Sequence, residues 1–257
     1  MKLYIVGAGP GVPDLITVRG LKLLKEADVV LYADSLVNEE LIREAKDGAT
    51  IVKTSSMHLE EMVDYMVTRL KEGKKVVRVH TGDPAMYGAI GEQMALLKES
   101  GVEIEIVPGV SSVFASAAMV GAELTVPDLT QTVILTRAEG RTPVPELESL
   151  RELAKHQSTI ALFLSAALTK KVVNELTEAG WSKDTPMVVV YKATWPDQKI
   201  IRTKLENLER DLKENGIQKH ALILAGWALE EDIYAKRYQS KLYDKQFTHE
   251  YRVGEKV

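Results

Sequence analysis

Hydrophobic positions recur along this chain in two patterns. Short runs rich in β-branched residues occupy residues 3–6, 29–32, 50–53, 76–80 and 104–107, and each predicts a strand. Between them, residues 18–26, 59–71 and 90–100 carry apolar side chains at helical spacing. Strand and helix in alternation predict a parallel α/β sheet. A second set follows, with strands expected over 132–136, 159–164, 187–191, 200–203 and 221–224 and helices over 170–179 and 205–214. After a helix of small residues at 112–120, Pro127 and Asp128 break the apolar pattern. The division predicted is two α/β domains, residues 1–121 and 122–257, with the cleft between them as the place for a ligand. The stretch 232–257 is polar and charged and reads as a tail, an arm or a packed helix.

Composition narrows the function. A hydrophobic content of 45% over 257 residues supports proper cores. Lys plus Arg number 33 against 37 Asp plus Glu, a net charge of −4 without a basic stripe, which argues against nucleic acid. The absence of cysteine removes disulfides, thiolate metal sites and a cysteine nucleophile together. The five histidines show no pair at metal-ligand spacing, so no metal site is expected. No apolar run approaches the roughly 18 residues of a membrane span, and the early glycines do not suit a signal peptide. The expectation is a soluble, cytoplasmic protein.

Three stretches have the residues for chemistry. The first, "VGAGPGVPDLITVRG" at 6–20, joins a predicted strand to a helix. Gly7 and Gly9 fit a dinucleotide fingerprint, but Val12 stands where the third glycine belongs and Pro10 has no N–H for a pyrophosphate. Asp34, ending the second strand, lies where a ribose-binding acid would sit, so spacing alone leaves a nicotinamide site open. The alternative is a tight strand-to-helix turn with Thr17 as helix cap. The second stretch, "HTGDPAMYG" at 80–88, puts Asp83 at the C-terminal end of a strand, where it can meet a ribose diol or an amino group, or simply close its own turn. The third, "PGVSSVFASAAMVGA" at 108–122, turns sharply at Gly109, and Ser111 or Ser112 caps the helix that follows, whose N-terminus could also hold a carboxylate.

In this order the three stretches resemble the tetrapyrrole (corrin/porphyrin) methyltransferase family over nearly the whole chain. "VVLYADSLVNEELI" and "TSSMHLEEM" point within it to cobalamin biosynthesis. The resemblance implies the class III S-adenosylmethionine-dependent fold, two α/β domains with the cofactor in the interdomain cleft, and S-adenosylhomocysteine as product. It places Pro10, Gly82, Asp83, Met86, Ser111 and Ser112 around the cofactor, with Leu164, Ala193 and Ala221 from the second half. Asp83 is expected to be the carboxylate nearest that cofactor. Many members have an acid where this chain has Val12, and here the acid follows at Asp14. A homodimer is implied as well.

A tetrapyrrole substrate carries acetate and propionate arms, so Lys53, His58, Arg78, Arg137 and Arg141 are candidate cations for it. Each reads equally as a solvated charge, and Arg78 also as a residue paired inside a strand. Residues 55–62 read as a mobile cover over the substrate or as a plain helix start. Methyl transfer from a sulfonium to an electron-rich carbon needs alignment more than acid or base, and no catalytic residue is assigned. A nicotinamide-dependent dehydrogenase and a non-catalytic ligand-sensing or scaffold protein are the other classes.

Overall fold

The computed structural model describes residues 1–233, 238 and 240–254. The stretch 232–257, left as tail, arm or packed helix, lies partly outside the described residues. The chain divides into two compact units, Met1–Ala115 with Lys192–Gln198, and Ser116–Tyr191 with Lys199–Val257. The first division falls within the helix Ser112–Val120, just before the boundary drawn from sequence.

The first unit is built on five parallel strands, β1 (Lys2–Gly7), β2 (Val29–Tyr32), β3 (Thr50–Lys53), β4 (Val76–His80) and β5 (Glu103–Val107), ordered β3-β2-β4-β1-β5. Every residue of β4 is buried, as a central strand covered on both faces requires. Val77 and Val79 pack with Leu23 and Leu24 of α1 (Val18–Glu26), while Val76 packs with Met62 and Met66 of α3 (Leu59–Lys71) and Leu97 of α4 (Ile90–Glu99). Thr17 caps α1, its Oγ1 accepting the Gly20 N–H at 3.1 Å. His58 is the N-cap of α3, and its N–H donates to Glu61 Oε2 at 2.9 Å, so residues 55–62 lead into a plain helix start. The four-residue α2 (Glu39–Ile42) and the helix α5 (Ser112–Val120) complete the order. A helix as short as α2 leaves no periodic run to read in the sequence.

The second unit has five strands, β6 (Val133–Arg137), β7 (Thr159–Phe163), β8 (Pro186–Tyr191), β9 (Lys199–Lys204) and β10 (Ala221–Ala225), ordered β6-β7-β10-β8-β9. Only β6 and β7 run parallel; the other pairs are antiparallel. The connection from β8 to β9 is Lys192–Gln198, too short for the crossover that parallel neighbours need. Helices α6 (Leu150–Ala154), α7 (Thr169–Glu178) and α8 (Leu208–Glu214) bring Leu150, Val172, Leu176, Leu208 and Leu212 onto Ile160, Leu162, Met187 and Ile223 of that sheet.

Replacing Thr17 by Ala removes a cap worth about 1 kcal/mol. The melting temperature of T17A is expected to fall by about 2–4 °C in a thermal scan.

Candidate functional site

The strand order makes β4, β1 and β5 neighbours, so the loops that leave their C-terminal ends meet. They meet through backbone. The Ala8 N–H donates to His80 O at 2.7 Å, Gly9 N–H to Gly82 O at 3.2 Å, and Gly82 N–H to Gly9 O at 2.8 Å. A Cβ on Gly7 would stand 2.6 Å from Gly109 Cα, and one on Gly109 would stand 2.0 Å from Gly82 O. The three stretches singled out in the sequence are therefore parts of one structure. Gly82 differs from the other two: its φ is +59°, and a Cβ there would find nothing closer than 3.9 Å, where Ser111 Cα, Ser112 N and Val110 O lie. The backbone is open to a ligand at that point.

Asp83 binds its own loops together. Oδ1 accepts the Ala85 N–H at 2.8 Å, closing a turn, and Oδ2 accepts the Gly109 N–H at 2.9 Å. The carboxylate expected beside a cofactor thus has a structural task on both oxygens. Met86 is half-buried, its N–H donating to Asp83 O at 3.1 Å. Tyr87 (φ 53°) and Ala89 (φ 49°) hold left-handed backbone in the same loop. Ser111 is buried, and its Oγ accepts the Val113 N–H at 3.4 Å; Ser112 opens α5.

The first loop is clamped by a segment that sequence reasoning did not single out. Trp195 Nε1 donates to Pro10 O at 3.0 Å, and the Val12 N–H donates to Thr194 Oγ1 at 3.0 Å. Asn38 Nδ2 donates to Gly11 O at 3.1 Å. A Cβ on Gly11 would lie 2.2 Å from the Trp195 ring, so residue 11 must be glycine while that indole is seated. The glycine was visible in the sequence, but nothing in it shows what approaches. Ala193 is buried in this segment, between Lys192 (φ 46°) and Thr194 (φ 69°).

Two candidates belong to the second unit. Leu164 follows β7, is 69% exposed and has φ 52°. Ala221 opens β10 directly after His220 at φ 55°. The registers Ile223↔Leu162 and Ala221↔Tyr191 set the start of β10 level with the ends of β7 and β8. Non-glycine residues in this conformation cost on the order of 1–3 kcal/mol each and concentrate where function demands them.

Most candidate cations are already engaged. Lys53 Nζ pairs with Glu39 Oε1 at 2.6 Å, and that carboxylate holds the ammonium above its ordinary range. Arg137 donates to the carbonyls of Thr142 at 3.2 Å and Pro143 at 2.8 Å, securing its own loop. Arg141 and His58 are exposed, His58 at the N-cap of α3 with its backbone N–H on Glu61. Arg78 is 4% exposed, and burial lowers its guanidinium to about 10. His80, 7% exposed, is pushed down to about 3, by burial first and the Arg78 charge second. Asp34, the proposed ribose acid, accepts the Ser55 N–H at 3.2 Å. Among the described residues no group of three or more His, Cys, Asp or Glu could hold a metal, and no helix is long and apolar enough to cross a membrane.

Residues 2–209 of the chain match the model of one family, the tetrapyrrole (corrin/porphyrin) methylases. The chain belongs to this family. It is 70% identical over 256 residues to a cobalt-precorrin-4 C(11)-methyltransferase of Priestia megaterium, covering 100% of this chain and 99% of that one. The X-ray structure of a cobalamin biosynthetic enzyme, cobalt precorrin-4 methyltransferase, superposes with a TM-score of 0.88 at 71% identity, covering 89% of this chain and 96% of the other. Uroporphyrin-III C-methyltransferase of Thermus thermophilus, solved with S-adenosyl homocysteine, gives a TM-score of 0.76 at 29% identity over 90% of this chain and 94% of the other.

Substitution separates the glycines. G109A drives Cβ into the Gly82 carbonyl and is expected to lower the melting temperature by at least about 5 °C, whereas G91A in α4, with nothing within 4 Å of the new Cβ, holds or raises it. The His80 shift predicts a pH effect with a definite sign. The unfolded chain takes up this proton below about 6.5, while the folded chain resists it down to about 3, so this residue's contribution to stability falls as pH drops through that window. The slope attributable to it is up to about 1.4 kcal/mol per pH unit, and denaturant titrations of H80Q should show that slope removed.

Proposed function

We propose that this chain transfers a methyl group from S-adenosylmethionine to C11 of precorrin-4 in its cobalt-bound form, giving cobalt-precorrin-5 in cobalamin biosynthesis. The observation that carries the reading is the 70% identity to the Priestia megaterium cobalt-precorrin-4 C(11)-methyltransferase over the full chain. Other tetrapyrrole C-methyltransferases, acting on uroporphyrinogen-III or precorrin-2, are the alternative, and diphthine synthase is a more remote one. A dehydrogenase is disfavoured because Asp34 is engaged with Ser55 and Val12, in place of a third glycine, is tied to Thr194.

The local chemistry fits such a cofactor. Gly82 leaves an uncovered cradle facing Ser111 and Ser112, of the kind a missing Cβ opens to a ligand. The cofactor supplies an electrophilic methyl on a sulfonium. Pro10, Gly82, Asp83, Met86, Ser111, Ser112 and Ala193 are proposed to hold it in the first unit: the glycine permits approach, Asp83 keeps two loops in register, and Trp195 keeps Pro10 in place. Leu164 and Ala221 are proposed contacts in the second unit, supported by strained backbone at or beside each. Catalysis is alignment of methyl and ring carbon away from water, so no general base is assigned. A cytoplasmic homodimer is the proposed working form, by resemblance to the family.

Calorimetric titration with S-adenosylhomocysteine and, separately, NAD tests the cofactor, and G82A tests its place. Saturable binding of the first and none of the second is expected, with G82A weakening it at least about tenfold while the fold persists. Incorporation of one labelled methyl into a tetrapyrrole, located at C11 by NMR, tests the reaction. NAD binding in place of S-adenosylhomocysteine overturns the reading.

A further inference from the structure

The ion pairs of this protein sit on partly exposed side chains, among them Lys53 with Glu39 and Lys204 with Asp184. Among the described residues the most deeply buried cation has none. Arg78 lies in the middle of β4, between Ile5 of β1 and Leu31 of β2, and is 4% exposed. Its Nη1 reaches only the Val79 carbonyl, at 3.3 Å, its Nε has no partner, and no carboxylate pairs with it among the described residues. Arginine keeps its proton in proteins, so this is a standing positive charge removed from water without a counter-charge. His80, two residues on and on the same face of the strand, is also buried, with Nε2 unpartnered. His80 is the last residue of β4, immediately before the loop that begins at Thr81 and carries Gly82.

We propose that Arg78 and His80 form a receptor for one ligand carboxylate, reached from the end of β4. The proposal rests on the methyltransferase reading, which brings carboxylates of two origins: the acid arms of the tetrapyrrole and the methionyl carboxylate of the cofactor. Arg78 supplies the charge and a fork of N–H donors, and the unpartnered Nε2 of His80 supplies a further N–H donor in the tautomer that protonates it. Two strand residues span about 6.6 Å, which sets Arg78 that far along β4 from His80 at the strand's end. An unpaired buried charge weakens a fold, and a ligand carboxylate would supply the missing counter-charge.

The test compares wild type with R78M, R78Q and H80Q by thermal melting and by titration with two probes, S-adenosylhomocysteine and the octacarboxylate uroporphyrin. R78M is expected to melt at or above the wild-type temperature, because an uncompensated charge has been replaced by an apolar chain of similar length. It is also expected to bind one of the two probes at least about tenfold more weakly, with H80Q intermediate. Loss confined to uroporphyrin assigns the receptor to the substrate, and loss confined to S-adenosylhomocysteine assigns it to the cofactor. If the wild type does not bind uroporphyrin, the cofactor arm decides alone. Wild-type affinity for both probes in folded R78M and R78Q overturns the proposal and leaves Arg78 satisfied by trapped water. Should R78M fail to fold, R78K against R78Q gives the same comparison, with equal affinities counting against. A wild type that binds S-adenosylhomocysteine whatever the variants do keeps the methyltransferase reading separate from this outcome.

Discussion

With Gly82 O 2.0 Å and Gly7 Cα 2.8 Å from where a Gly109 side chain would begin, the ends of β1, β4 and β5 rest backbone against backbone. Contact at this range admits no side chain on any of the touching faces, so the three loops keep one another's positions without intervening side-chain atoms. Everything proposed for the first unit follows from that. Asp83 can span from its own turn to Gly109 only because the loops are this near, and Gly82 is left exposed only because its neighbours are held away from its open side.

The strands were legible because a buried parallel sheet demands runs such as the valines of β4, and such runs are uncommon elsewhere. The helices of two full turns or more were legible for their period. What escaped was short or distant. The helices α2 and α6, with four and five residues, are too brief to show a period. The mixed second sheet was foreshadowed by the short gap between β8 and β9, a signal of length that the alternation of elements obscured. In the site, the glycines announced close approach but not its partner. Pro10 and Trp195 are 185 residues apart, and no local rule joins them. For Asp83 both roles were open in the sequence; the structure shows the turn-closing one, with Gly109 added as a second partner, and the cofactor contact is a proposal.

Strain and charge are placed unevenly. Left-handed non-glycine residues stand in the β4 loop, after β7 and β8 and just before β10, while the long helices are regular. Exposed ion pairs contribute little to stability, each about 0–1 kcal/mol, and the cores around Leu24, Met66, Leu162 and Leu176 provide the surplus that tolerates the strain. In the first unit β4, buried along its whole length, carries an arginine and a histidine beside its three valines.

The position of β4 also governs how the chain assembles. β1 has β4 and β5 as its neighbours, and those begin at residues 76 and 103, so the first strand to leave the ribosome is among the last to be paired. Only β2 and β3 can join early. Even when β5 has docked, the loop at Pro10 lacks Trp195 and Thr194, which are made some 180 residues after it. At translation rates of roughly 5–20 residues per second, that interval lasts on the order of 10–40 seconds. A nascent chain ending at Ala115 would already contain all three glycine motifs but not the segment that seats the first of them, so the clamp on that loop closes only when synthesis has passed Trp195.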